Sequence, residues 1–203
     1  MRTDIKTIVS IAFVSMLIPA LRAQDAGKAA FPAPDFKIKV DCSAEKMQQG
    51  SFSPTPEGLS GYQCPEWFRD AKFGIWAHWG PQCQPEDGDW YARNMYFEGD
   101  KKYAYQIDVM GHPSEIGFKD WINEWKADRW EPDSLLSLYK EAGARYFMAL
   151  ANHHDNLDLY DSRYQEWNTV RVGPRKDIIA GWERACRKAG LKFGVSVHAA
   201  HAW

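Results

Sequence analysis

Histidines are the residues in this sequence whose type and placement point most directly to chemistry. His78 and His198 each end an apolar run, and the sequence His153-His154-Asp155 follows a third such run. A neutral imidazole donates one hydrogen bond and accepts another, so several of them together favour a pocket that binds hydroxyl groups. Each histidine taken alone is equally consistent with a buried side chain bonded to the backbone.

A carboxylate beside an indole, Asp89-Trp90, lies in the polar segment after the first apolar run. This pair suits a sugar, because a carboxylate accepts hydrogen bonds from hydroxyls and an aromatic face packs on apolar C–H groups. A metal-dependent hydrolase built on His78, His153 and His198 is an alternative. No H-E-x-x-H motif occurs, and the ligands would come from separate strands. We therefore predict neither a metal nor a cofactor.

The elements that must position these side chains are buried strands. Residues 72–78 and 192–198 share one pattern, in which Lys-Phe-Gly begins the run and histidine ends it. Alternation in the first strand predicts two faces, one with Phe73, Ile75 and Ala77 and the other with Gly74, Trp76 and His78. Gly74 and Gly194 are expected to leave room at the same depth of a shared pocket.

Two helix patterns precede the second and third strands. The first begins at Glu131-Pro132, and the second is capped by Asp177. Their predicted apolar faces are Leu135, Leu138, Tyr139 and Ala142 in the first helix, and Ile178, Trp182, Ala185 and Ala189 in the second. Gly143 and Gly190 end the two helices, and a basic residue, an aromatic residue and a strand follow. Such repeated β/α units predict a parallel sheet.

Two architectures fit these units, an open doubly wound sheet and a closed (β/α)8 barrel. No glycine-rich phosphate loop follows any strand, and polar strand ends are typical of barrel enzymes. We expect an α/β fold of the (β/α)8 TIM-barrel type with only its first strands in this chain, because a complete barrel takes about 250 residues. The expected domains are a signal peptide at 1–23, a leader at 24–65 and the incomplete barrel at 66–203. Residues 92–130 show no clean period and are interpreted as a long functional loop.

Charge and targeting signals limit the partners. The net charge is −2 and no basic run occurs, which argues against nucleic acid. Arg2, Lys6 and the apolar segment 8–18 predict a signal peptide, and no later segment is long enough to span a membrane. We expect an exported protein, either periplasmic or extracellular. The four cysteines (Cys42, Cys64, Cys83 and Cys186) leave disulfides and free thiols equally open.

An ordered series of motifs resembles the family 29 glycoside hydrolases, the α-L-fucosidases. It comprises residues 70–80, Asp89-Trp90-Tyr91, Trp130-Glu131-Pro132-Asp133, Ala142-Gly143-Ala144-Arg145-Tyr146, His153-His154-Asp155, Tyr160-Asp161-Ser162, Trp167-Asn168 and residues 190–195. The resemblance covers about residues 65–198. The ordered series of motifs is highly specific, although no single motif in it is specific. It implies a (β/α)8-like catalytic domain and retaining, metal-independent hydrolysis of terminal α-L-fucosides.

The resemblance also implies which residues bind the sugar. His78, His153, His154 and Trp90 correspond to sugar-binding positions, and Asp89 stands where the family usually has glutamate; His198 joins them through the strand repeat. The catalytic nucleophile and the acid/base are expected beyond Trp203. After the third strand this chain has Ser196-Val197-His198 where the family often has Tyr-Ser-x-x-Glu-Trp. An α-L-galactosidase and a non-catalytic sugar-binding relative are therefore alternatives, and the isolated chain is expected to be inactive and poorly folded.

Overall fold

The computed structural model describes residues 50–198. The helices are α1 (Pro56–Ser60), α2 (Glu66–Ala71), α3 (Tyr91–Asn94), α4 (Lys101–Val109), α5 (Phe118–Glu124), α6 (Pro132–Glu141) and α7 (Ile178–Ala189). The strands are β1 (Gly74–Ala77), β2 (Tyr146–Asn152) and β3 (Lys192–Val197), and a short 3₁₀ turn spans Pro81–Cys83. The expected signal peptide and the leader up to residue 49 lie outside the described residues.

The three strands form one parallel sheet in the order β1-β2-β3. Their register aligns Gly74 with Tyr146 and Tyr146 with Lys192. Helix α6 lies in the connection from β1 to β2, and α7 lies in the connection from β2 to β3. The predicted β/α repeat and its parallel pairing are thus confirmed, as a small parallel sheet with helices. Strand β1 is shorter than the run 72–78 predicted from the sequence.

Helix α7 has the predicted apolar face, whereas the predicted face of α6 is wrong at two positions, Leu138 and Ala142, which are both exposed. Asp177 accepts a hydrogen bond from the backbone N–H of Ala180 at 2.8 Å, and it therefore caps α7 as expected. In α6, Leu136 is fully buried, but Leu138 is 58% exposed. Both residues fit a helical period, and packing of α6 against α7 selects the stripe that contains Leu136.

Aromatic rings form the core beneath the helices. The tryptophan cluster, which consists of Trp79, Trp125, Trp130 and Trp182, packs with ring centroids between 5.0 and 6.3 Å apart. Phe147 of β2 joins it, with its ring 4.9 Å from that of Trp182. The cluster connects the sheet, α7 and the segment between α5 and α6. The cluster stabilises the fold mainly because large apolar surfaces are removed from water.

The segment 92–130 contains short helices joined by loops rather than one long loop. Three helices, α3, α4 and α5, occupy this segment, and their buried side chains include Tyr91, Met95, Trp121 and Ile122. The helices contain only four, nine and seven residues, too few for a reliable helical period. Contacts with distant residues therefore stabilise them, and the interpretation of this segment as a loop is corrected.

The space beside Gly74 and Gly194 is filled by residues of β2. A Cβ atom at Gly74 would come within 2.2 Å of the Tyr146 ring, and one at Gly194 would lie 3.3 Å from Cε of Met148. The two glycines therefore admit side chains from the neighbouring strand. The expectation that they leave room in the pocket is wrong.

Three cysteines among the described residues, Cys64, Cys83 and Cys186, are free thiols. Cys186 is buried in α7, and burial raises the pKa of its thiol. Cys42 lies outside the described residues. Between residues 50 and 198, no helix is both long and apolar enough to cross a membrane.

Candidate functional site

Four imidazoles converge where the three strands end. His78 follows β1, His153 and His154 follow β2, and His198 follows β3. The ring of His198 lies 5.1 Å from those of His78 and His153, and 5.2 Å from that of His154, measured between centroids. We call these four residues the histidine rim. The carboxyl ends of parallel strands meet at one edge, so the sequence-predicted residues are brought together there.

An irregularity at the end of β2 allows two neighbouring histidines to reach one site. The pairing with β3 passes from Leu150 directly to Asn152, which leaves Ala151 unpaired. Such a bulge bends the strand and changes the direction of the side chains that follow. His153 and His154 consequently both face the other rings, with their own centroids 4.7 Å apart. The expectation that the chain turns at this point is confirmed.

Polar side chains hold the turn that follows β2. The amide of Asn152 donates to Oδ1 of Asp158 at 2.8 Å, and both residues are buried. Oδ1 of Asp155 accepts from the backbone N–H of Leu157 at 3.0 Å, and the N–H of Asn156 donates to the carbonyl of His153 at 2.9 Å. Because these bonds fix the backbone on both sides of His154, the histidines are held by the fold itself.

Asp89 connects two members of the histidine rim. Nε2 of His78 donates to Oδ1 of Asp89 at 2.8 Å. Nε2 of His153 lies 3.3 Å from the same oxygen, outside the angular range of a hydrogen bond. The donated proton places N–H at Nε2 of His78 and leaves Nδ1 of the neutral ring as an acceptor. Asp89 thus orients His78 while its side chain stays 44% exposed.

Burial disfavours the charged forms of two rim histidines, His153 and His198. Burial lowers the pKa of His153 to about 4, and the positive charges that would form on His78, His154 and His198 lower it further, against the opposing effect of Asp89. Burial and the neighbouring imidazoles also lower the pKa of His198. Two imidazoles that resist protonation are suited to bind neutral, polar ligands through hydrogen bonds.

Asp155 was noted from the sequence only as the neighbour of His154. Burial raises the pKa of its carboxyl to about 6, although the hydrogen bond from Leu157 and the field of His154 act in the opposite direction. Its Oδ2 is buried and has no hydrogen-bond partner among residues 50–198. The result is a carboxyl that titrates close to neutral pH directly behind the histidine rim.

Two exposed indoles lie beside the rim. Trp90, which the sequence predicted, is 41% exposed and packs edge-on against His154 with centroids 5.9 Å apart. Trp76 was not predicted as a site residue; it is 49% exposed and lies 5.0 Å from the ring of His78. Its Nε1–H donates to Oγ of Ser196 at 3.0 Å. The alternation that placed Trp76 and His78 on one face was the signal that could have identified it.

Three rim histidines also have ring nitrogens close enough together to be compared with a metal site. Ring nitrogens of His78, His153 and His198 all lie within 4.8 Å of one another. Two nitrogens bound to one zinc ion at about 2.1 Å stand about 3.4 Å apart in a tetrahedron. Nitrogens separated by as much as 4.8 Å would therefore have to move closer before one ion could bind all three. In the geometry described, the nitrogens can bind separate hydroxyl groups.

The chain is similar to known proteins over most of its length. A family model described as Alpha-L-fucosidase matches residues 40–203. Tissue alpha-L-fucosidase of Mus musculus is 30% identical over 147 residues, which cover 71% of this chain and 32% of the mouse protein. Plasma alpha-L-fucosidase of Homo sapiens is 29% identical over 184 residues, which cover 86% of this chain and 38% of the human protein. The chain therefore spans between 32% and 38% of these relatives.

Solved structures give the same result. The alpha-fucosidase of Thermotoga maritima matches with a TM-score of 0.70 and 29% identity, over 75% of this chain and 38% of that protein. A structure of the Thermotoga maritima enzyme in complex with fucose matches with a TM-score of 0.68. Together with the family match over most of its length, these similarities show that the chain belongs to the α-L-fucosidase family.

Proposed function

We propose that the full-length protein is an exported, retaining exo-α-L-fucosidase that removes terminal α-L-fucose from glycans or oligosaccharides. In this proposal residues 1–23 direct export, 24–65 form a leader, and 66–203 contribute the first strands of a (β/α)8 catalytic domain. The family match and the share of each relative that the chain spans support this organisation. So does the sheet, in which β1 and β3 each have one edge without a partner strand among the described residues.

The single observation that carries the proposal is the convergence of the predicted sugar-binding residues at one rim. The set comprises His78, Asp89, Trp90, His153, His154 and His198. Imidazole nitrogens and the Asp89 carboxylate supply both donors and acceptors for the sugar hydroxyls. The exposed face of Trp90 supplies an apolar surface for the C–H face and methyl group of fucose.

Retaining glycosidases use two carboxyl groups about 5–5.5 Å apart, one as nucleophile and one as acid/base. We propose that both come from residues that follow Trp203, and that the present residues bind and orient the sugar. The lowered pKa values of His153 and His198 suit this role, because an uncharged imidazole binds a neutral sugar without first losing a proton. Asp89 holds His78 in the tautomer that presents Nδ1 as an acceptor.

A second substrate, α-L-galactose, is favoured by the position of Asp89. It is one methylene shorter than the glutamate that the family usually has at this position, and its Oδ1 is directed to His78 at 2.8 Å. A shorter carboxylate leaves more space on this side of the pocket. L-galactose differs from L-fucose by a hydroxyl group on C6, so discrimination between the two sugars depends on what occupies that space.

The test is hydrolysis of 4-nitrophenyl α-L-fucoside and α-L-galactoside by the full-length protein, with and without a chelator. We expect a higher kcat/KM for the fucoside and no effect of the chelator. A higher kcat/KM for the galactoside would reassign the substrate within the family. Loss of activity on chelation would support a metal bound by His78, His153 and His198. Fucose binding without hydrolysis of either substrate would make the protein a non-catalytic sugar-binding relative.

A further inference from the structure

Three side chains on one face of helix α4 contact α3 and the loop that precedes it. Lys102, Tyr105 and Gln106 are spaced at i, i+3 and i+4, and we call them the α4 clamp. The ammonium of Lys102 donates to the carbonyl of Asp87 and lies 3.6 Å from Oδ2 of the same residue. The hydroxyl of Tyr105 donates to the carbonyl of Pro85 at 2.9 Å. One helix face therefore binds the loop at two backbone carbonyls.

Gln106 is the buried centre of the α4 clamp and is fully shielded from solvent. Its Oε1 accepts hydrogen bonds from the hydroxyl of Tyr91 at 2.9 Å and from Nε1–H of Trp121 at 2.7 Å. Its Nε2 donates to the carbonyls of Gly111 and Ile116, each at 3.2 Å. All four hydrogen-bonding positions of the amide are used, so any other side chain leaves buried polar groups unpaired.

The sites that the α4 clamp contacts lie on both sides of Asp89-Trp90. Pro85 and Asp87 precede this pair, and Tyr91, which is fully buried, follows it. Between them lies Gly88 with φ +91°, a conformation that other residues rarely adopt. A glycine joint next to functional side chains gives the backbone freedom to shift. Contacts before and after the joint remove that freedom.

We propose that the α4 clamp is a positioning element that holds Asp89 and Trp90 against the histidine rim. Its residues act through Asp89 and Trp90 and do not touch the sugar. The inference rests on the proposed function for the identity of the ligand, whereas the contacts themselves are independent of it. The proposal assigns a functional role to residues 92–130, which contain α4. Holding the binding groups in place matters because a shift of about 1 Å in such a group can lower the rate by a large factor.

The kinetic test replaces Gln106 in the full-length protein. Gln106→Leu removes all four hydrogen bonds at similar volume, and we expect kcat/KM for the aryl fucoside to fall about tenfold, mainly through a higher KM. Tyr91→Phe removes one hydrogen bond and keeps the ring buried, and we expect a loss of about threefold. The matched control, Leu136→Ala, destabilises a buried position in α6 and should change kcat/KM by less than about twofold.

A double-mutant cycle separates positioning from general packing. In a background that already carries Asp89→Ala and Trp90→Ala, the α4 clamp has no functional side chains left to position. Gln106→Leu should then lower the residual kcat/KM by less than about twofold. An equal loss in both backgrounds would overturn the proposal, because it would show that Gln106 acts on the whole fold.

Amide hydrogen exchange provides a readout that does not need activity. Gln106→Leu and Tyr91→Phe should increase exchange in residues 86–91, whereas Leu136→Ala should increase it mainly in α6. Unchanged exchange in residues 86–91 of both variants would contradict the proposal. If the unmodified protein hydrolyses no fucoside, the proposed function fails, and exchange still decides whether the α4 clamp holds the loop.

Discussion

Tryptophan serves two different purposes in two neighbouring regions of this molecule. In the tryptophan cluster the indoles pack on one another, and Trp125 and Trp182 are each 3% exposed. Beside the histidine rim, Trp76 and Trp90 are 49% and 41% exposed and contact imidazoles. The same side chain stabilises the fold in the first region and is available to a ligand in the second. Exposure and polar neighbours distinguish the two roles, whereas abundance does not.

The largest expected effect concerns the tryptophan cluster. Trp182→Ala removes a ring that contacts Phe147, Trp79 and Trp130, and we expect it to lower the free energy of unfolding by about 3–5 kcal/mol. Trp90→Ala, the matched variant at the rim, should lower it by less than about 1 kcal/mol. Urea unfolding of the full-length protein measures both. Equal losses would show that the two regions do not differ in the way described.

The second prediction concerns the pH dependence of stability behind the rim. The folded-state pKa of Asp155 is raised to about 6, so the folded protein binds a proton more tightly there than the unfolded chain does. Ionising this carboxyl in the folded protein therefore lowers the free energy of unfolding as pH rises from about 4 to 6, by up to about 3 kcal/mol at neutral pH. Asp155→Asn should therefore be more stable by about that amount at neutral pH, with no difference below about pH 4.

His153 contributes a dependence of opposite sign. Its folded-state pKa is lowered to about 4, so the unfolded chain takes up the proton first as the pH falls. Stability from this group is present above about pH 6.5 and is lost as the pH falls to about 4. In Asp155→Asn this loss is no longer opposed. Thermal unfolding of the unmodified protein and of Asp155→Asn at several pH values tests both predictions. A difference in stability between the two that does not vary with pH would contradict the account of Asp155.

The third prediction concerns binding at the rim. His154→Ala should lower kcat/KM of the full-length protein for an aryl fucoside at least tenfold, about 1.4 kcal/mol, because a hydrogen bond to the sugar is lost. His112→Ala is the matched control. His112 lies outside the rim, where it contacts Tyr103 and Ser114. We expect the control to stay within about twofold of the unmodified protein. An unchanged kcat/KM in His154→Ala would remove this residue from the proposed site.

The smallest expected effect is that of Leu138→Ala, which is compared with a buried leucine of the same helix. Leu138→Ala in α6 should change the free energy of unfolding by less than about 0.5 kcal/mol, because the side chain is exposed. Leu136→Ala should lower it by about 2–5 kcal/mol, since that side chain is fully buried. Denaturant unfolding of both variants resolves this difference. A larger loss for Leu138→Ala would restore the apolar face predicted from the sequence.

Much of the sheet and the rim could be predicted because their signals are local or repeated. The Lys-Phe-Gly pattern of β1 and β3 and the glycine ends of α6 and α7 lie within short stretches of sequence. Parallel pairing then brings their ends together, so His78 and His198 could be placed at one edge without knowledge of side-chain contacts. His153 and His154, which follow β2, could be placed at the same edge only if the chain turned at that point.

The remaining features depend on partners far away in the sequence. The sequence around Gln106 does not indicate that this side chain is buried. Its role depends on hydrogen bonds from Tyr91 and Trp121, which are each 15 residues away in the sequence. The unpaired position of Ala151 in β2 cannot be predicted from β2 alone, because it is defined by the pairing with β3. The choice between Leu136 and Leu138 depends on how α6 lies against α7. In each case the local pattern allowed two outcomes, and a tertiary contact selected one of them.

A crystal structure of the full-length protein with bound L-fucose would test the central claim most directly. The account predicts sugar hydroxyls within about 2.7–3.2 Å of imidazole nitrogens of His153 and His154, with the ring of Trp90 against the apolar side of the sugar. It also predicts that Asp89 keeps its contact with His78. Fucose bound at another place, with only solvent at the histidine rim, would contradict the claim that these residues form the sugar-binding site.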